Sequence, residues 1–432
     1  MKIETLKKSH LKRNIIIGVV VVAIISAVIL NFTRAKYRVT QSIPLVNGTI
    51  NYSLPDLNIV GLYIDGEEAT KLDSSKKYTL DTTQSICTYK DGTEIKDLTI
   101  TYDSETGGLS ISPYTTKGTK CILYFEEKIS ASDIILVNTE LKTDTPDFSK
   151  TSCASGCGEA TNGLYKEETS KGTTYYFRGT VDNNWVQFGG FYWRIIRINE
   201  DGSLRIIYQG TSANTTGTGT QTETSAFNGS WDNNAYVGFK YTTNNVHGTG
   251  TNSTILTALN TWYTNNLSSY TDKIDGNAGF CNDRTPYSGS GTGTSATDYA
   301  AYNRLVNNKQ PSFECSNSSD LFTTSGSSQG NKALQYPIGL ITADEVAFAG
   351  GVVGQNNTSY YLYTGQNYWT MSPYYFGVAR SRAYVFYVNS NGSLGYNSVY
   401  WTGPGVRPVI NLRADVTISG GNGTSSNPYV VS

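Results

Sequence analysis

One uncharged apolar run near the start of the chain constrains the topology of everything that follows. Asn14 to Thr33 (NIIIGVVVVAIISAVILNFT) carries no charge, and Ile15 to Leu30 is broken only by Gly18 and Ser26. A membrane-spanning helix needs about 20 mainly apolar residues, with a lower limit near 17. The run qualifies when Asn14, Asn31 and Phe32 sit at the interfaces. Lys2, Lys7, Lys8, Lys12 and Arg13 precede it, and Arg34, Lys36 and Arg38 follow it. That bias predicts a cytoplasmic tail at 1–13, a transmembrane signal anchor at 14–33 and an external body: a single-pass plasma-membrane protein. The competing reading is a cleaved signal peptide, which would leave a secreted protein; no A-x-A pattern follows the run to support it.

Cysteine placement agrees with export. Cys87, Cys121, Cys153, Cys157, Cys281 and Cys315 all lie beyond the run, and an even number in an exported chain points to disulfides. Pairing by neighbourhood joins Cys87 to Cys121, Cys153 to Cys157, and Cys281 to Cys315. A metal site built on Cys153 and Cys157 lacks a second close pair of thiols.

Composition narrows the chemistry. There are 43 Gly and 32 Tyr but only 2 His, and charged residues make up 16% against about 25% in ordinary globular chains. His10 precedes the apolar run, so His247 alone serves the body, and sites needing two or three imidazoles are excluded. Beyond residue 40 acids exceed bases by about eight, and no basic stripe appears, which argues against a nucleic-acid partner.

Residues 40–128 read as a small all-β, sandwich-like spacer: short runs rich in Val, Ile, Tyr and Thr alternate with Asp65-Gly66, Asp91-Gly92 and Gly107-Gly108 turns. Residues 129–160 read as a hinge with a Cys loop, and 161–432 as a larger head with long polar loops. Within the head, Asp201-Gly202 predicts a hairpin between Tyr192–Ile198 and Leu204–Tyr208. Ser253–Leu267 places Ile255, Leu256, Leu259, Trp262 and Tyr263 on one helical face. Thr342 with Glu345 three residues on predicts a capping box.

The carboxyl-terminal region carries the most specific words: Trp369-Thr-Met-Ser-Pro373, Ala383–Val388, Asn391-Gly392 and Gly405-Val-Arg-Pro-Val-Ile-Asn-Leu412. With the Phe191–Gly202 hairpin, this pattern resembles the C-type-lectin-like fold in its formylglycine-generating-enzyme branch, including related bacterial surface domains, over roughly residues 161–419. The resemblance implies an α+β head. In it, Trp369 and Pro373 anchor a sheet corner, Arg407 bonds core carbonyls, and Ala383–Val388 and Val406–Leu412 are central strands joined through Asn391-Gly392. The branch's enzymes use a copper-binding cysteine pair or three iron-binding histidines, and neither set is present. The E-P-N or Q-P-D and W-N-D words of calcium-dependent sugar binders are also missing. Calcium has candidate clusters at Asp182-Asn-Asn184 and Trp231-Asp-Asn-Asn234, but such clusters are more often turns; no cofactor is expected.

In diversified members of the fold the segment between these words displays ligand contacts. By that resemblance Tyr374, Tyr375, Phe376, Arg380, Arg382, Tyr396, Tyr400 and Trp401 are the candidate binding residues, of types that dominate binding hot spots. The expected function is a bacterial cell-surface protein with a non-enzymatic binding or adhesion head for an external protein or glycan. The alternatives are a glycan-acting surface enzyme using Asp344 and Glu345, or a structural subunit of a surface layer or fibre.

Overall fold

The computed structural model describes residues 58–431, apart from 74–75, 105–106 and 113–117. The 14–33 run and the 1–13 tail lie outside the described residues. Among those described, no helix is long and apolar enough to cross a membrane. The chain divides into two compact units, Met1–Ile129 and Ser130–Ser432.

In the first unit, β1 (Asn58–Ile64), β2 (Glu67–Glu68), β3 (Tyr78–Thr88) and β6 (Lys120–Glu127) form a sheet of order β2-β1-β6-β3, while β4 (Thr99–Asp103) and β5 (Gly108–Ser112) make a separate hairpin. Alternation along β6 turns Cys121, Leu123 and Phe125 inward. They meet Leu62, Leu80 and Ile100 in one small core. Cys87 and Cys121 face each other in register across β3 and β6 and are bonded. The pairing of β1 with β6 is parallel, so the sheet is mixed and does not follow from the turn signals, which mark only antiparallel neighbours.

The second unit holds two larger sheets. In the first, β9 (Trp185–Phe188), β10 (Phe191–Ile198) and β11 (Leu204–Gly210) lie between Val409–Leu412 on one side and Tyr429–Val431 with Ile418–Gly420 on the other. The hairpin of β7 (Gly163–Thr169) and β8 (Gly172–Arg178) joins through β10. The second sheet centres on Tyr368–Gly377, which pairs with Arg382–Val388, Thr297–Tyr299 and Gly405–Val406; Leu394–Ser398 pairs with Arg382–Val388. One apolar core draws on both sheets, with Trp193, Ile206, Leu259, Trp369, Val385 and Ile410 buried.

The expected α+β class is corrected. The structure is 37% strand and 15% helix, because the head's helices are short and the long polar stretches hold paired strands. The helix with one predicted apolar face spans Thr254–Asn266 and is capped by Ser253. The capping box at Thr342 opens Ala343–Ala349, every residue of which is buried. Of the segment 129–160, the residues from Ser130 onward belong to the second unit. The Ala131–Asn138 helix docks through a bond from the Ala131 amide to the Val416 carbonyl (2.8 Å), and the Cys153–Cys157 loop is tied to Gly350 through Ser152 (3.1 Å). Asn391-Gly392 connects Arg382–Val388 to Leu394–Ser398, whereas Val409–Leu412 belongs to the other sheet beside β11.

Candidate functional site

The eight candidate binding residues flank the second sheet, and burial divides them. Antiparallel register sets Tyr375 opposite Tyr384 and Phe386 opposite Tyr396. Phe376 is only 1% exposed and Tyr374 6%, so both belong to the packing. Tyr396 and Tyr400 are exposed at 44% and 41%; Arg380 is exposed, and Tyr375, Arg382 and Trp401 are half-buried.

Two aromatic groups result. Tyr396 stacks on Tyr374 with centroids 4.1 Å apart, Tyr375 stacks on Tyr384 at 4.6 Å, and Tyr375 meets Tyr396 edge-on at 5.5 Å. Burial, with Tyr384 and Tyr396 alongside, pushes the Tyr375 hydroxyl up to about 12. In the second group Trp231 and Tyr400 lie 4.5 Å apart, and the Arg382 guanidinium sits 5.5 Å from the Tyr400 ring, within cation–π reach. Trp401 instead packs on Tyr387 and Trp369. Tyr384 and Trp231 were not among the candidates. Tyr384 could have been found by alternation, since Ala383 and Val385 on either side of it are buried. Trp231 could not: it arrives from a distant loop, where its carbonyl accepts the Ala383 amide at 2.7 Å.

The other polar candidates are consumed by the scaffold. Asp344 takes Arg304 through both oxygens, at 2.8 and 2.9 Å, and accepts the Ser312 amide. Glu345 lies 2.5 Å from Arg205 Nε and 3.4 Å from Arg197 Nε, and accepts the Thr342 amide at 2.9 Å. Burial raises the Glu345 carboxyl, but Arg205 and Arg197 outweigh it and hold the group below the ordinary carboxylate range. Adjacent on one short helix, these carboxylates point to different arginines and share no substrate-facing space. His247 Nδ1 lies 2.9 Å from the fully buried Asp320, which also receives Arg284 Nε at 2.8 Å, and Asn317 Nδ2 stands 3.2 Å from His247 Nε2.

In the two candidate calcium clusters the side chains of Asp182, Asn184 and Asn234 are hydrogen-bonded within the protein. Asp182 accepts from the Trp185 indole at 2.9 Å and Ser425 at 3.2 Å, and Asn184 is spent on Ile195 and Arg194. Asn234 donates to three carbonyls of 292–295 and accepts the Tyr299 hydroxyl at 2.8 Å. Among the described residues no group of three or more His, Cys, Asp or Glu side chains is placed to hold a metal ion. The six cysteines form Cys87–Cys121, Cys153–Cys157 and Cys281–Cys315.

Arg407 matches its expected part: fully buried, it donates to the Tyr208 carbonyl (3.0 Å), the Leu362 carbonyl (3.3 Å) and Gln209 Oε1 (2.7 Å). A shallow polar cleft of about 550 Å³, lined by Lys142, Asp144, Asn162, Tyr165 and Asp182 among others, shares no residue with the aromatic face. No family model matches this chain, and no curated protein or solved structure matches it either.

Proposed function

We propose that Ser130–Ser432 is a recognition domain that binds an external protein or glycan on the face made by Trp231, Tyr375, Arg382, Tyr384, Tyr396 and Tyr400. The observation that carries the reading is the concentration of exposed or half-exposed rings on one sheet. Tyr and Trp bury large areas at low entropic cost and, with Arg, dominate binding energy. The ionisable side chains elsewhere in the unit that could suit hydrolysis, Asp344 and Glu345, are committed to arginines. Three disulfides fit work in an oxidising compartment outside the cytoplasm. Whether the chain stays at the membrane there or is released depends on the fate of the 14–33 run.

The test is to screen the full chain on a glycan array and a displayed random-peptide library. Hits are then repeated with a Trp231→Ala, Tyr396→Ala, Tyr400→Ala variant whose tryptophan-fluorescence melt is checked for folding. Loss of the hits with a preserved melt supports the site. Hits that survive the triple change place recognition elsewhere.

A further inference from the structure

The strands Tyr368–Gly377 and Arg382–Val388 are joined by a tight turn in which Ser381 takes a left-handed φ of 46°. The turn sets Arg380 and Arg382 on either side of its tip, with the Arg382 guanidinium 5.5 Å from the Tyr400 ring. These two differ from every other arginine of the unit. Arg197, Arg205, Arg284, Arg304 and Arg413 each meet a carboxylate. Arg178, Arg194 and Arg407 are buried and spent on carbonyls and side-chain oxygens. Among the described residues, the Arg380 and Arg382 guanidinium groups meet no carboxylate or other side-chain oxygen, and Arg382 joins the ladder only through its backbone, opposite Gly377. Along the chain, no Asp or Glu occurs between Glu345 and Asp415. Other segments do bring carboxylates to this sheet: Asp298 lies opposite Tyr375 and is bonded to Ser288 at 2.9 Å, and Asp232 follows Trp231 in the chain.

An unpaired guanidinium beside exposed rings is suited to a planar anion with an apolar neighbour, since its fork of donors matches a carboxylate. On its side away from Arg382–Val388 the strand Leu394–Ser398 is bridged only at Leu394, to Val353, and pairs with no other strand, which suits main-chain pairing of Gly395–Ser398 with an extended peptide better than a sugar chain. Resting on the recognition reading above, we infer that the partner is an acidic peptide segment of a protein, with its carboxylates on Arg380 and Arg382 and its apolar or aromatic side chains on Tyr396, Tyr400 and Trp231.

The test uses fluorescence anisotropy of a labelled short peptide alternating Asp and Tyr, titrated with the full chain at low and physiological salt. A peptide alternating Asn and Tyr and a labelled oligogalacturonate are run beside it. The acidic peptide is expected to bind, to weaken as salt rises, and to lose at least about tenfold in affinity in an Arg380→Gln, Arg382→Gln variant. Because Arg380 is exposed, that variant should melt as the parent does. Equal binding of the neutral peptide, no effect of the arginine changes, or no binding of the acidic peptide overturns the inference. Binding of the oligogalacturonate in place of the peptide overturns the peptide assignment. If the arginine changes do nothing while Tyr396→Ala with Tyr400→Ala abolishes binding, the aromatic site stands without its acidic partner. If both sets leave binding intact, both readings fall.

Discussion

Replacing Glu345 by Gln isolates one buried charge with little change of shape. Glu345 is 3% exposed and faces Arg205 at 2.5 Å and Arg197 at 3.4 Å. A Gln can still accept the Thr342 amide, so the capping box survives. What is lost is the counter-charge of the nearly inaccessible Arg205. Removing one partner of a buried ion pair costs about 3–5 kcal/mol. For a unit spanning Ser130–Ser432, unfolding entropy is about 0.6 kcal/mol/K at roughly 2 cal/mol/K per residue, so the melting temperature should fall by about 5–8 °C. All the tryptophans lie between Trp185 and Trp401, so their fluorescence follows this unit alone.

The pH dependence supplies a second reading of the same variant. Because the folded carboxyl is held below its ordinary value, its contribution is present above the unfolded pKa of about 4.3 and is lost as pH falls through the folded value. The Gln variant should therefore lose less stability than the parent over that acidic window. Adding Arg205→Met should return part of the loss at neutral pH, since a buried pair replaced as a whole is often neutral. An unchanged melt at neutral pH would refute the claim that Glu345 is the ionised counter-charge of Arg205.

Three further outcomes follow from the packing. Arg407→Ala takes the Arg407 donors from the Tyr208 carbonyl and Gln209 Oε1, at about 1–3 kcal/mol for each unsatisfied group, while the Leu362 carbonyl keeps the Tyr368 hydroxyl. Tyr400→Ala should stay within about 0.5 kcal/mol, and urea titrations followed by tryptophan fluorescence separate the two. Tyr375, raised to about 12 from 10.0, contributes stability that is complete below pH 10 and is lost as pH rises through about 12. Urea midpoints across that window should fall less in Tyr375→Phe. The Cys281–Cys315 bond spans a sequence separation of 34, so Cys281→Ala with Cys315→Ala should cost roughly 3–4 kcal/mol, and non-reducing peptide mapping of the parent should join those two cysteines.

Local chemistry was legible and long-range assembly was not. Asp201-Gly202 turns β10 into β11, and Ser253 and Thr342 cap the helices they precede, because turns and caps are decided within a few residues. Each disulfide joins cysteines adjacent in the order of cysteines along the chain, though only Cys153–Cys157 closes within a few residues. The parallel match of β1 with β6 and the transfer of Val409–Leu412 to the β11 sheet are set by packing between distant segments, and no turn signal encodes them. Residue types along Tyr374–Trp401 could not tell buried Phe376 from exposed Tyr396. The contribution of Trp231, held by a bond to Ala383, had no sequence signal at all.

The edges of the β9–β11 sheet impose an order on synthesis. β11 is covered by Val409–Leu412 and β9 by Tyr429–Val431, so strands made early in the unit wait for partners that leave the ribosome some two hundred residues later. Sheets closed by such distant pairings gain their stability late and form slowly. A nascent chain halted after the Arg382–Val388 strand would still lack both closing strands, leaving edges open to pairing with other chains. That dependence makes carboxyl-terminal truncation far more damaging than the small size of the lost strands suggests.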